Sequence, residues 1–252
     1  VEDSLFLYHD VCTNGIGYVD LMFKTDSIAP EQIPYLGLLK SVLGYVDTEN
    51  YTYGELFNEI NANTGGINCG VEVFDRADST EEFQAMFSVR GKALYTKLDF
   101  LFKMIGEILN SSKLEDTKRL YEIVASVKSR AQVNLTGAGH STAVLRAAAY
   151  SSPMAAFQDE MAGIGYYQFI EKLEKDFEQR KEETVEELCK LMKKILRPEN
   201  FMISYTGERE SMETVQKLAG AVKAGLGTEP VEKSVPRKLP YDSDCLPQIS
   251  GG

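Results

Sequence analysis

The chain is poor in histidine, the side chain most often used as a metal ligand and as a general acid or base. The sequence contains two histidines, His9 and His140. A structural zinc or a two-histidine catalytic site would need both, together with cysteines or carboxylates. The four cysteines, Cys12, Cys69, Cys189 and Cys245, lie far apart without a C-x-x-C pair. We therefore expect no zinc ribbon or redox motif, and we expect free thiols in a reducing compartment.

Ser141 stands in the stretch GHSTA (139–143), which nearly matches the nucleophile-elbow pattern G-x-S-x-G. In a hydrolase this serine occupies a sharp turn from a strand into a helix and is served by a distant histidine. The segment before Ser141 has a helical rather than a strand pattern. His9 is the one histidine outside the motif that could act as the distant base. A serine hydrolase using Ser141 is kept as an alternative.

The remaining polar clusters indicate structure more than chemistry. The sequence has no G-x-G-x-x-G or Walker loop. The carboxylate pairs Glu182-Glu183 and Glu186-Glu187 lie on a charged helical face, which is typical of solvated surface. Tyr166 belongs to an apolar helical stripe and is expected in the core. Residue chemistry alone therefore identifies no active site, and we expect no catalytic, cofactor or metal residues in this chain.

Composition restricts the classes of partner. The net charge of −11 argues against nucleic acid and against an anionic membrane surface. The sequence contains no run of about 18 or more apolar residues, so no transmembrane helix is predicted. Residues 1–10 lack the pattern of a signal peptide, and the sequence begins without Met. We expect a processed or excised piece of a longer protein, located in the cytoplasm.

The N-terminal segment has the pattern of a β-hairpin. Two apolar runs flank Thr13-Asn14-Gly15, and Asn-Gly favours the positive φ angles of a tight turn. Two helices are predicted next, from about Pro30 to Gly44 and over 52–64.

Strand-like runs at 66–75 and 81–91, joined by a polar turn at 76–80, predict a second hairpin. A long helical region follows, then a strand at 201–207 and a final helix. Hairpins without βαβ crossovers indicate an α+β fold with an antiparallel sheet and helices packed on one face.

A single domain is predicted over 1–227. The proline-containing segment 228–252 is predicted to be a linker or extended arm leading toward a following domain.

Several stretches, taken in order, resemble a known enzyme group. They include HDVCTNGIGYVDLMFKTD (9–26), YTYGELFNEINANTGGI (51–67) and ILRPENFMISYTGERE (195–210). This set resembles the presequence protease and falcilysin group of the pitrilysin (insulinase-like, inverted zinc) metallopeptidase superfamily. Members are built from four similar α+β domains whose two halves close around a peptide chamber. Their zinc is held in the first domain by an H-x-x-E-H helix.

The resemblance places the first helix of this chain at the position of the zinc helix. Against H-x-x-E-H-S-V-L, the stretch LGLLKSVL puts Leu36 at the first histidine, Leu39 at the glutamate and Lys40 at the second histidine. Leucine cannot bind zinc, and an ammonium group repels it. The resemblance thus implies a degenerate zinc helix, with zinc held instead by an upstream catalytic domain.

The resemblance also implies the partners and the role of this piece. It corresponds to the third domain, a non-catalytic wall of the C-terminal half that contacts the N-terminal catalytic half and the fourth domain. Unfolded peptides are the implied substrates of the parent enzyme. A free-standing, catalytically dead scaffold subunit of the same superfamily is the alternative.

Overall fold

The fold is described by a computed structural model that covers residues 4–75 and 82–231. A five-stranded sheet has the order β1-β5-β2-β4-β3. The strands are β1 (Phe6–Asp10), β2 (Ile16–Lys24), β3 (Ile67–Asp75), β4 (Phe83–Leu94) and β5 (Phe201–Gly207). The helices are α1 (Ile33–Val42), α2 (Tyr53–Asn63), α3 (Leu98–Ser111), α4 (Thr117–Gly137), α5 (Gly139–Ala148), α6 (Pro153–Ala162), α7 (Ile164–Lys175), α8 (Phe177–Ile195) and α9 (Met212–Ala224). The predicted α+β class is confirmed.

The predicted N-terminal hairpin is wrong. Strand β5 lies between β1 and β2, pairing parallel with β1 and antiparallel with β2. Asn14 and Gly15 do adopt positive φ angles of 53° and 80°, so the chain turns where expected. The connection over 11–15 steps across one strand, a gap of roughly 10 Å. The β1–β5 pair is therefore parallel, while the other strand pairs of the sheet are antiparallel.

Alternating side chains give the sheet a face that packs against helices. Val19, Leu21 and Phe23 of β2 are buried, as are Ile203 and Tyr205 of β5. Helix α3 packs on β4, and α9 packs on β5. These residues join the helices in one contiguous apolar core.

Local capping signals set the helix starts much as predicted. Pro30 opens a 3₁₀ turn that leads into α1. The Thr52 side chain caps α2 by accepting a hydrogen bond from the Glu55 amide. The Ser152 side chain caps α6 by accepting a hydrogen bond from the Ala155 amide. Gly163 is the C-terminal cap of α6.

Some predictions lie outside the described residues. The turn at 76–80 is one of them, and so is most of the predicted arm, of which only 228–231 are described. The boundary between 1–227 and 228–252 stays a prediction. No helix in the described part of the chain is long and apolar enough to cross a membrane.

Candidate functional site

Helix α1 lies in the interior of the molecule, where its neighbours exclude water. It packs against α4, α6, α7 and α8 and against strand β3. Leu36 is fully buried and Leu39 is 1% exposed, so both side chains lie in the apolar core. Their alignment with the positions of a zinc helix stays a prediction.

Gly37 shows how closely the neighbouring helices approach α1. A Cβ atom at this position would lie 2.6 Å from the Met161 carbonyl oxygen and 2.7 Å from the Tyr166 ring. The helix pair α6–α7 therefore covers α1 at van der Waals distance. Leu36, the preceding residue of α1, has no exposed surface that a substrate could contact.

Metal-binding side chains do not converge in the described ranges, 4–75 and 82–231. Those residues contain no group of three or more histidines, cysteines, aspartates or glutamates that could hold a metal ion. The absence of a zinc site in this chain stays a prediction, to be tested by metal analysis.

Lys40 differs from the two leucines because its side chain reaches a groove. Within the described residues its ammonium group makes no hydrogen bond or ion pair, and burial lowers its pKa. Its place in the last turn of α1 is favourable for a cation because helix C-termini carry partial negative charge. That effect offsets part of the desolvation cost.

The groove beside Lys40 has a volume of about 830 Å³. It is bounded by residues 67–72 of β3, by the C-terminal end of α1, by α2 and by residues 119–130 of α4. We call it the β3 groove. Tyr45 and Phe57 line it with side chains that are 50% and 57% exposed. An edge strand, exposed aromatic rings and a cation thus meet in one concave surface.

A second, smaller cavity of about 360 Å³ lies on the polar face of the sheet. Asp20 lines it and accepts a 2.7 Å hydrogen bond from Arg90 Nε, while its Oδ1 atom is buried without a partner. Burial raises the pKa of Asp20, against the lowering effect of Arg90. Arg90 also pairs with Glu72 at 3.1 Å. This charge cluster was missed by sequence reasoning, although Asp20 alternates with the apolar residues of β2.

The structure contradicts the elbow proposed for Ser141. This serine lies in the first turn of α5, which follows α4 after Ala138 alone, so a strand does not precede it. His9 lies on β1, an outer strand of the sheet. The nucleophile elbow depends on a strand-to-helix turn, and the serine hydrolase alternative is therefore wrong.

The described cysteines are free thiols, as predicted. Cys12 is exposed, and Cys69 and Cys189 are partly buried. Burial raises the pKa of Cys69 to about 12, which keeps it protonated near neutral pH. Cys245 lies outside the described residues. Tyr166 is buried, which confirms its predicted place in the core.

A hydrogen-bonded cluster at one end of the sheet was also missed. The Tyr95 hydroxyl donates to Glu208 Oε2 at 2.8 Å and accepts from the Glu208 amide at 2.7 Å. Thr13 Oγ1 lies 3.0 Å from the same hydroxyl. The cluster joins three segments that are distant in sequence, so a local sequence pattern does not predict it.

Three comparisons with known proteins bear on this arrangement. The family model described as Peptidase M-16C associated matches residues 1–173. Protein HypA of Clostridium perfringens is 34% identical over 217 residues, covering 86% of this chain and 22% of that protein. The mitochondrial presequence protease of Yarrowia lipolytica is 28% identical over 211 residues, covering 82% and 21%. The chloroplastic/mitochondrial presequence protease 1 of Arabidopsis thaliana is 26% identical, covering 84% and 19%.

This chain thus spans about a fifth of the length of these relatives. Among solved structures, a conserved protein from Enterococcus faecalis V583 matches with a TM-score of 0.60 at 14% identity. That match covers 85% of this chain and 48% of the other, and at this identity it shows the fold alone.

Proposed function

The chain belongs to the peptidase M-16C associated family, and from that premise we propose that it is a non-catalytic domain in the C-terminal half of a zinc-dependent oligopeptidase. The observation that carries the proposal is the burial of Leu36 and Leu39. The family resemblance aligns these two residues with the first histidine and the glutamate of a zinc helix. In a catalytic domain these positions hold a histidine and a glutamate that need access to metal and water. Here they stabilise the core.

The proposed role is structural. The domain forms part of the wall of a closed chamber and contacts the N-terminal catalytic half and the fourth domain of the parent chain. Zinc is bound in the upstream catalytic domain, and unfolded peptides are the substrates. Two relatives whose names include presequence protease support this assignment, since they share 28% and 26% identity with most of this chain.

The charge of the chain fits a preference for basic peptides. Its net charge of −11 would attract positively charged, unfolded segments to an acidic wall. Such attraction would raise the rate of capture more than it would tighten binding, and it would weaken as salt is added.

The gene that encodes the chain provides a direct test of the proposal. We expect the reading frame to continue upstream of Val1 into a domain with an H-x-x-E-H helix. A frame that starts near Val1 would overturn the proposal and favour the free-standing scaffold subunit instead.

The isolated chain provides a second test. Metal analysis by mass spectrometry should find no stoichiometric zinc, and a fluorogenic peptide should remain uncleaved. The matched control is the parent protein, which should contain zinc and cleave the same peptide. One tightly bound zinc ion per isolated chain would contradict the proposal.

Cytoplasmic location is part of the proposal and is tested separately. Fractionation of the source cells with an antibody against this chain should find the parent protein in the cytoplasm. Recovery in an organelle would contradict this part alone. The relatives from Yarrowia lipolytica and Arabidopsis thaliana carry organellar names, which makes the experiment informative.

A further inference from the structure

The β3 groove carries an imbalance of charge opposite to that of the whole chain. Its two carboxylates, Glu72 and Glu122, are each paired, with Arg90 at 3.1 Å and with Arg119 at 2.9 Å. Lys40 and Arg130 also line the groove, and neither forms an ion pair within the described ranges. Three cationic and two anionic side chains therefore line the groove, which leaves one net positive charge there in a chain of net charge −11.

The backbone of β3 adds a second recognition element. In the described part of the sheet, β3 pairs on one side with β4 and is an outer strand. An outer strand presents unpaired amide and carbonyl groups at alternate residues, which an extended peptide can match. Residues 67–72 line the groove, a length of roughly 20 Å and enough for about six peptide residues.

The exposed rings of Tyr45 and Phe57 supply apolar contact along the same groove. From the edge strand, the rings and the unpaired cations, we propose that the β3 groove binds an extended peptide segment with an acidic side chain. The peptide backbone adds to β3, and its carboxylate accepts hydrogen bonds from Lys40 and Arg130. Because every group named belongs to this chain, the inference does not depend on the proposed function.

The test uses the full 252-residue chain and two matched probes. Each probe is a fluorescent eight-residue peptide of alternating valine and threonine, blocked at both ends, with a central glutamate or a central glutamine. We expect fluorescence anisotropy at low salt to show binding of the glutamate peptide, with the glutamine peptide about tenfold weaker. Equal affinities would overturn the assignment.

Two variants test whether Lys40 and Arg130 supply the positive charge that binds the glutamate. Lys40→Met and Arg130→Met should each reduce the preference for glutamate over glutamine. Lys217→Met removes an exposed lysine on α9, outside the groove, and should keep the full preference. Retention of the preference in both groove variants would overturn the role of these cations.

Thermal melting separates lost binding from lost folding. Lys40→Met should melt no lower than the parent chain, because the substitution removes an unpaired, partly buried charge. A lower melting temperature together with weaker binding would reassign Lys40 to a packing role, and Arg130→Met, at an exposed site, would then decide the proposal.

Modified peptides test whether the peptide backbone pairs with β3, and whether the bound carboxylate belongs to the glutamate side chain or to a free C-terminus. A glutamate peptide N-methylated at alternate residues should lose binding in at least one of the two registers, since methylation removes the amide donors. Undiminished binding in both registers would overturn strand addition. A glutamine peptide with a free C-terminus should bind no better than its blocked form, and affinity equal to that of the glutamate peptide would overturn the side-chain assignment.

Discussion

Lys40 occupies an unfavourable position for a charged side chain. Its ammonium group is partly buried, and within the described ranges it has no hydrogen-bond or ion-pair partner. The charges that line the same groove are Arg119 and Glu122, which pair with each other, Glu72, which pairs with Arg90, and the unpaired Arg130. Each nearby carboxylate thus pairs with an arginine, one of which, Arg90, also pairs with Asp20. Since neither carboxylate pairs with Lys40, the desolvation cost of Lys40 is not offset by an ion pair within the groove.

Stability should therefore increase when this charge is removed. Because burial lowers the folded-state pKa of Lys40, the unfolded chain binds more protons at alkaline pH. The destabilisation is fully present below the folded-state pKa and is relieved as pH rises toward the unfolded value of about 10.4. Lys40→Met should raise stability at pH 7 by on the order of 1 kcal/mol.

Urea denaturation at pH 7 and above pH 10 measures this change. The advantage of Lys40→Met over the parent chain should shrink at the higher pH. Lys217→Met is the control, since this exposed lysine on α9 should show no advantage at either pH. A destabilised Lys40→Met at pH 7 would contradict the prediction.

Glu208 should respond to pH in the opposite sense. Its hydrogen bond from Tyr95 is the largest cause of a lowered pKa, so its contribution is present above the unfolded pKa and lost as pH falls through the folded value. Tyr95→Phe removes the hydroxyl that both donates to and accepts from Glu208. We expect a melting temperature lower by a few degrees at pH 7, and a smaller difference from the parent chain below pH 4, measured by circular dichroism. A difference that is constant with pH would exclude Glu208 as the cause.

The contact between α1 and the α6–α7 pair can be tested with a matched pair of glycine substitutions. Gly37 has no room for a Cβ atom, whereas a Cβ atom at Gly106 in α3 would meet nothing within 4 Å. Alanine favours helix over glycine by about 1 kcal/mol. Gly106→Ala should therefore stabilise the chain by up to that amount.

Gly37→Ala should destabilise by about 1–3 kcal/mol, because overpacking outweighs the gain in helix propensity. Chemical denaturation of both variants gives the two values with one method. Stabilisation by both substitutions would show that α6 and α7 can move away from α1 at little cost.

Helix ends were predictable because their signals are local. Pro30, Thr52 and Ser152 act within one turn of the helix that each begins. The strand order was not predictable, since β1 pairs with β5 at Phe6 and Ile203, which are nearly 200 residues apart. The Asn14-Gly15 turn reverses the chain without specifying which strand lies beside β1.

The candidate site also contains features that the sequence predicts and features that it does not. The identity of Leu36 and Leu39 alone shows that they cannot bind zinc, whereas their alignment with a zinc helix rests on the family resemblance and stays a prediction. The β3 groove could not be foreseen, since it is formed by Lys40, by residues 67–72 and by residues 119–130. These segments meet only after the sheet and helices have packed.

Burial is uneven across the described residues. Helix α3 has seven buried residues, whereas α5 has none. Val133 near the end of α4 and Val144 in α5 are 68% and 70% exposed. The segment 133–148 therefore has little packing to support its backbone hydrogen bonds, and the side chains of Val133 and Val144 are exposed on its surface.

Hydrogen exchange should report this difference directly. In the isolated chain, amides of α5 should exchange faster than those of α3 by roughly two orders of magnitude or more, because local opening of α5 exposes little apolar surface. In the multidomain protein proposed above, contact with another domain should slow exchange in α5 and leave α3 unchanged. Equal protection of α5 and α3 in the isolated chain would show that α5 opens only with the global unfolding of the domain. Unchanged exchange of α5 in the parent protein would instead place this surface against solvent and move the domain interface elsewhere.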